Sequence, residues 1–316
     1  MLSPHQYLAC LSHVLSDAAI GLCGMVGLSL VTSGRRHQRY SLEKSASYIE
    51  DYVTLFEDLL GGPGSFHGHV CELGPGDSLG GGVLYRLRGA ASVTFLERFQ
   101  RQESEREKKI CELIYQREID RKSSTEQSNS ATQSLNPITN TFQLIQGVTA
   151  ESHLRVDTTT YDLILSNSVI QHTTDPLPLL QLCYDRLKPG GRMLHVIDLR
   201  NLGILKQWGE LAWLETPPAL HRRMVRHTGR PNRTRFKDYR NWAESTGGKM
   251  TVRIRHLVGS DQHWGDVAPT DIPEDAWSAS RELVREARPR FTPIFRSHST
   301  RDHAVATFVF IVEKPE

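Results

Sequence analysis

The sequence predicts an α/β protein, and three observations carry that prediction. Residues 69–80 read as a strand, a glycine turn and the start of a helix: His69-Val70-Cys71 leads in, Glu72 interrupts an apolar run, and Gly74 and Gly76 let the backbone turn tightly before a helix begins near Ser78. About twenty residues after those glycines, an alternating strand over Ala91–Leu96 ends on an acid, Glu97. Further on, an amphipathic helix over Pro176–Leu187 is closed by Lys188-Pro-Gly-Gly191 and passes into a strand over Arg192–Leu199. With 316 residues and 38% hydrophobic content, the chain has material for one large α/β core plus additions.

The remaining elements follow in order. Ala18–Thr32 is the most apolar stretch of the N-terminal region, too short to span a bilayer comfortably and without a preceding basic segment, so it reads as a buried, glycine-containing helix. Ser41–Leu60 carries Ile49, Tyr52, Val53, Phe56 and Leu60 at helical spacing. Arg101–Lys122 is densely charged around a sparse apolar stripe and reads as a long solvated helix, followed by a polar surface loop over Ser123–Ser134. Strands are expected at Phe142–Ile145, Leu163–Leu165, Lys249–Val258 and Ala304–Val312, and helices at Phe236–Ser245 and within Pro269–Ala287. No internal repeat is visible.

Charge and cysteine usage narrow the classes of function. A formal net charge of +2 does not demand wholesale binding of nucleic acid. The five cysteines lack CxxC spacing, so the expectation is reduced thiols in a cytoplasmic protein with neither a disulfide framework nor a metal site. The turn itself constrains its ligand. Its outline also serves nicotinamide and flavin dinucleotides. Yet a pyrophosphate needs backbone N–H donors and no nearby carboxylate, whereas Pro75 lacks an N–H and Asp77 adds negative charge. Glu72, ending a buried strand, calls for a cationic or hydrogen-bond-donating group such as an amino acid's ammonium.

These residues resemble a known family. Glu72-Leu-Gly-Pro-Gly-Asp77 is similar to the first motif of class I S-adenosylmethionine (SAM) dependent methyltransferases, Val93–Glu97 to the second strand with its terminal acid, Tyr161–His172 to the fourth strand and its following loop, and Leu187–Gly191 to the turn before strand five. The resemblance runs from about residue 69 to 200 and implies a Rossmann-like fold: a seven-stranded, mostly parallel sheet, its last strand antiparallel, with an N-terminal helical cap and an insertion after strand five. The implied division is 1–60 for the cap, 61–200 for the SAM-binding core, and 201–316 for the substrate-recognition insertion and last two strands. Asp198-Leu-Arg200 is similar to the end of strand five in a subgroup often found in carbohydrate or secondary-metabolite pathways, with Asn201 and Leu202 departing from its pattern.

The implied cofactor residues are Glu72, Gly74, Gly76, Asp77, Glu97, Val148, Thr149 and Asn167, and the product is S-adenosylhomocysteine (SAH). Glu97 would accept from both ribose hydroxyls. Val148 stands where the family often has an acid beside the adenine, which leaves adenine recognition to Thr149, Ala150 or a backbone amide. Tyr40 or Tyr48 is a candidate to reach the cofactor. His172 is the candidate base, since an imidazole titrates near neutrality; the competing reading makes it a helix cap or packing beneath the cofactor. Arg200, Arg230, Arg233 and Arg235 are candidates to grip an anionic group on a small-molecule acceptor, with a solvated helix face as the alternative. The missing Asn/Asp-Pro-Pro-Tyr/Phe sequence disfavours a nucleobase acceptor. The expected function is methyl transfer to an oxygen or nitrogen of a small, anionic metabolite or natural-product intermediate. An RNA methyltransferase and a catalytically inactive SAM-binding scaffold remain as alternatives, no integral membrane segment is expected, and a homodimer is left open.

Overall fold

The computed structural model describes residues 2–25, 36–101, 103–125, 135–201, 205–228 and 231–316. Its sheet has seven strands: β1 (His69–Leu73), β2 (Ser92–Glu97), β3 (Phe142–Gln146), β4 (Tyr161–Asn167), β5 (Leu187–Asp198), β6 (Lys249–Leu257) and β7 (Val305–Glu313). Their order is β3-β2-β1-β4-β5-β7-β6, and the sheet is mostly parallel, as the sequence implies. The pairs β1–β2, β1–β4 and β2–β3 are parallel, with Glu72 in register with Phe95 on one side and Leu165 on the other. Val70–Leu73 and Val93–Glu97 are buried throughout, because strands covered by helices on both faces cannot alternate apolar with polar residues. Order reverses between β1 and β4, the kind of switch point at which an open α/β sheet leaves a ligand crevice at the carboxyl ends of its strands.

Thirteen α-helices lie among the described residues, and contact density divides the chain into two compact units. One unit comprises 32–167, 181–194 and 313–316. It holds α1's successors α2 (Arg36–Arg39) and α3 (Leu42–Leu59), then α4 (Gly80–Leu87), α5 (Glu105–Thr125), α6 (Leu135–Thr139) and α7 (Ala150–Val156). Ser41 caps α3, its hydroxyl accepting the Lys44 N–H at 3.1 Å, and Ile49, Val53 and Phe56 form the buried stripe that the spacing predicts. The charged helix α5 is less solvated than its composition suggests. Ile110, Cys111, Ile114 and Tyr115 are buried, and Glu118 is held by Arg88 at 3.2 Å.

The other unit comprises 1–31, 168–180 and 195–312. It holds α1 (Pro4–Met25), α8 (Pro176–Asp185) as far as Leu180, α9 (Pro218–Met224), α10 (Phe236–Thr246), α11 (Glu274–Ala287), α12 (Pro293–Arg296) and α13 (Thr300–Ala304). The segment Ala18–Thr32 is helical as far as Met25, but not buried: Leu22 is 61% exposed, and the rest of the stretch lies outside the described residues. Most of the polar loop expected at Ser123–Ser134 also lies outside them. Among the described residues, no helix is long and apolar enough to cross a membrane.

Candidate active site

Glu72 sits one residue before the end of β1 and is 3% exposed. Tyr52, on α3, donates its hydroxyl hydrogen to Glu72 Oε1 at 3.2 Å, while Glu72 Oε2 is buried without a hydrogen-bond partner among the described residues. Burial pushes the carboxyl pKa up to about 8, against the pull of Tyr52, Arg101 and the nearby Tyr85 hydroxyl, and with a smaller push from Glu97. The same helix that supplies Tyr52 supplies Tyr48, one turn earlier. The Tyr48 hydroxyl accepts from the Asn167 side-chain amide at 3.0 Å, at the end of β4. The two tyrosine rings lie 5.7 Å apart. Gly81, on α4, has no side chain for a physical reason: a Cβ there would stand 2.4 Å from the Tyr52 hydroxyl and 3.0 Å from Glu72 Oε2.

Beyond β1 the backbone turns through Gly74 at φ 63° and Gly76 at φ 73°, left-handed conformations that favour glycine. Gly76 then donates its N–H to Glu97 Oε2 at 3.1 Å, and Phe99 donates to Glu97 Oε1 at 3.0 Å. Burial raises the Glu97 pKa, and these N–H donors and Arg101 oppose the shift. With Arg98 as a third backbone donor, the carboxylate still keeps a lone pair for a further donor. Arg101 is a residue that sequence reasoning missed. It pairs with Glu107, and Glu107 in turn accepts the Leu79 N–H at 3.1 Å, so one guanidinium serves the carboxylates that surround the glycine turn.

Other sequence candidates fall elsewhere. Asp77 does not present a free carboxylate: it accepts N–H hydrogens from His37 at 3.2 Å and Gln38 at 2.9 Å, closing the start of α2. Thr149 caps α7 through the Ser152 N–H at 3.1 Å, and Val148 is 41% exposed. The Tyr40 carbonyl accepts from Arg106, and the Lys44 ammonium lies over the Tyr40 ring at 4.4 Å. In the other unit, Ser168 adopts φ 60°, an uncommon conformation for a residue other than glycine, and opens the loop that leads to His172 at the end of a 3₁₀ turn, Ile170–His172. Asn232 fixes that loop by donating to the carbonyls of Ile170 and Thr173 at 2.8 and 3.0 Å.

The arginines separate by environment. Arg200 is forked onto Asp198 at the end of β5, with contacts of 3.0 and 2.8 Å, and their pairing holds the Arg200 pKa up. His256 lies close by on β6, its pKa lowered by burial and then by Arg200, and its ring stands 5.0 Å from that of His263. Arg235 is fully buried and donates to the carbonyls of Leu199 at 2.8 Å and His303 at 3.4 Å, a tie inside the fold rather than a group facing an acceptor. Arg233 lines a concave cavity, whereas Arg230 and Leu202 lie outside the described residues. Asp266 is buried and paired with Arg255 at 3.0 Å. Among the described residues, no group of His, Cys, Asp and Glu could hold a metal ion.

A mostly parallel sheet with a buried acid at the end of β1, glycines beyond it and a second acid at the end of β2 defines a class I SAM-dependent methyltransferase. The residues fit the cofactor: a carboxylate oxygen buried without a partner suits an ammonium group, and Glu97 keeps a lone pair for a hydroxyl. The sequence model of the methyltransferase domain matches residues 46–250, and the chain belongs to that family. No curated protein matches the sequence. Similar solved structures include the YcgJ protein of Bacillus subtilis, at 12% identity over 84% of this chain and 99% of that one, with a TM-score of 0.42. They also include phosphoethanolamine N-methyltransferase 2 of Haemonchus contortus, bound to phosphomonomethylethanolamine and SAH, at 13% identity over 90% of this chain and 61% of that one, TM-score 0.42. The plantazolicin methyltransferase BamL, bound to a triazolic desmethylPZN analogue and SAH, is 12% identical over 97% of this chain and 99% of that one, TM-score 0.41.

Proposed function

We propose that this enzyme transfers the SAM methyl group to an oxygen or nitrogen of a small acceptor that carries an acidic group. The observation that carries the cofactor side is Glu72, whose partnerless buried oxygen suits the amino-acid ammonium of SAM. Bound SAM supplies a sulfonium-activated methyl group, so the chain's task is to position, desolvate and deprotonate. Glu72 and Tyr52 hold the amino-acid end, Glu97 accepts from the ribose hydroxyls, and Asn167, oriented by Tyr48, lines the same unit's crevice. His172 takes the proton that the acceptor's hydroxyl or amine loses as its lone pair forms the new bond. The acidic group in the acceptor is supported by Arg233 and the exposed arginines near it in sequence, Arg222, Arg223 and Arg226.

The test begins with calorimetric titration of the purified protein with SAH and, as a control, NAD. Binding of SAH alone supports the cofactor assignment, and pools of phosphorylated and carboxylated metabolites are then screened with SAM for the mass gain of one methylene. Binding of NAD in place of SAH would reject the assignment, and methylation confined to neutral acceptors would reject the acidic group.

A further inference from the structure

The unit that holds α9 contains a cavity of about 790 Å³, within the size range of small-molecule sites. Four arginines line it: Arg222, Arg223, Arg226 and Arg233. None of the four pairs with a carboxylate among the described residues. The lining has one carboxylate, Asp238, and it is already engaged. It accepts the Arg235 backbone N–H at 2.8 Å, capping α10, and lies 4.0 Å from His298 Nε2.

The arginines are held on a firm frame. Asp17, on α1, accepts N–H hydrogens from His227 and Thr228 at 2.9 Å and the Thr228 hydroxyl at 2.9 Å, which ties down the turn after α9. His221 bridges Nε2 to the Pro231 carbonyl at 3.1 Å, and burial keeps its pKa down at about 3, so a neutral ring donates there. Arg233 donates to the Thr216 carbonyl at 2.6 Å and lies over the Phe295 ring at 5.0 Å, which fixes the plane of its guanidinium. Burial and the neighbouring Arg222 charge lower its pKa to about 10. Its charge therefore persists at neutral pH without a counter-ion, an electrostatic cost that an incoming anion would relieve. Phe295, Ile294 and Val225 give the same cavity an apolar wall.

We propose that this cavity binds the acidic end of an amphiphilic small molecule: a phosphomonoester or carboxylate on an apolar body. A guanidinium fork matches two oxygens of either anion, and the apolar wall accommodates the body that carries it. The proposal rests on the reading of the enzyme as a methyltransferase for a small acidic acceptor, and it gives that acceptor its chemical class.

Calorimetry of the full chain with hexyl phosphate, hexanoate and hexanol tests it, with SAH titrated separately. Hexyl phosphate or hexanoate binds, the stronger of the two identifying the acid, and hexanol does not. Arg222→Ala with Arg226→Ala weakens the acid probe about tenfold or more, and Arg233→Lys, which keeps the charge but loses the fork, weakens it severalfold, about 3- to 10-fold. SAH affinity stays unchanged in all three proteins, which shows that the variants fold. Failure of both acids with SAH binding intact, equal binding of hexanol, or undiminished binding by the double variant would overturn the proposal. So would a short RNA that displaces the probe and loses affinity steeply with salt, since the arginines would then form a nucleic-acid surface. Acid binding without SAH binding would retire the methyltransferase reading while sustaining the acid site.

Discussion

On the proposed assignment, the Glu72 carboxyl makes cofactor binding a proton-releasing step. With its pKa near 8 in the free protein, about nine-tenths of the molecules carry a protonated Glu72 at pH 7. An ammonium group placed against its partnerless oxygen requires the carboxylate, so binding expels that proton. Calorimetry of SAH in two buffers of different ionisation enthalpy counts the protons: about 0.9 released at pH 7, about 0.5 at pH 8 and few at pH 9. Below pH 8 the SAH affinity rises about tenfold per pH unit, or about 1.4 kcal/mol. Glu72→Gln keeps the shape and removes the titration, so its binding is weaker by about 1.5–3 kcal/mol above pH 8 and releases no proton. The stability consequence has a definite sign. The folded pKa of Glu72 lies above the unfolded value of 4.5, so its contribution is fully present below 4.5 and is lost as pH rises through about 8. The urea midpoint of wild type should fall relative to Glu72→Gln across that window. Tight SAH binding with no buffer dependence at pH 7 would refute the reasoning, because the carboxyl would then be ionised before the ligand arrives or neutral after it.

Other outcomes follow from the same geometry. Glu97→Ala weakens SAH binding by about 10-fold or more, whereas Glu151→Ala, on the half-buried face of α7, changes it by less than about twofold; equal affinities would remove Glu97 from the ribose. Arg235→Leu strands the Leu199 and His303 carbonyls and costs about 3 kcal/mol in urea unfolding, without a pH-dependent component between about pH 6 and 8. Burial depresses the pKa of His195, His221 and His303 to about 3, so each contributes stability that is present above the unfolded value of 6.5 and lost as pH falls towards 3. Each adds a slope of about 1.4 kcal/mol per pH unit in that window, which urea titrations at about pH 7, 6 and 5 would resolve; a flat profile would contradict the burial. Asp17→Ala leaves three donors without their acceptor, lowers stability by about 2 kcal/mol and weakens hexyl phosphate binding by loosening α9; intact probe affinity would separate the cavity from this tie.

Much of the fold was legible because its signals are local. The glycines at 74 and 76, the acids at 72 and 97 and the Lys188-Pro-Gly-Gly191 turn are set by backbone conformation and strand length, which a run of residues reveals. Tyr52 was legible only in part: it shares the helical face of Tyr48 at i+4, yet nothing in the sequence says that this face meets Glu72. Asp77 was legible in part as well. Its charge at the glycine turn suggested a cationic ligand, but nothing local reveals that its carboxylate also accepts from His37 and Gln38, forty residues earlier in the chain. Arg233 and Arg235 stand two residues apart in one basic run, and one lines a cavity while the other is sealed against two carbonyls. Spacing within a charge run carries no information about which side chain faces inward, because that depends on what packs against it.

The near-neutral total charge of +2 obscured a division that only the folded chain displays. Around the glycine turn, Arg101 is shared among Glu72, Glu97 and Glu107, so carboxylates exceed their counter-ions where the ammonium and hydroxyls of SAM would bind. In the other unit, four arginines share a cavity with a single, already occupied carboxylate. In water such surpluses would be screened within a Debye length, but buried or half-buried groups feel them. Burial sets both shifts and the surplus adds to each: Glu97 pushes Glu72 further toward neutrality, and the Arg222 charge adds to the fall in the Arg233 pKa. A ligand of the opposite sign would relieve each surplus, so the proposed division places a cationic cofactor in one unit and an acid in the other.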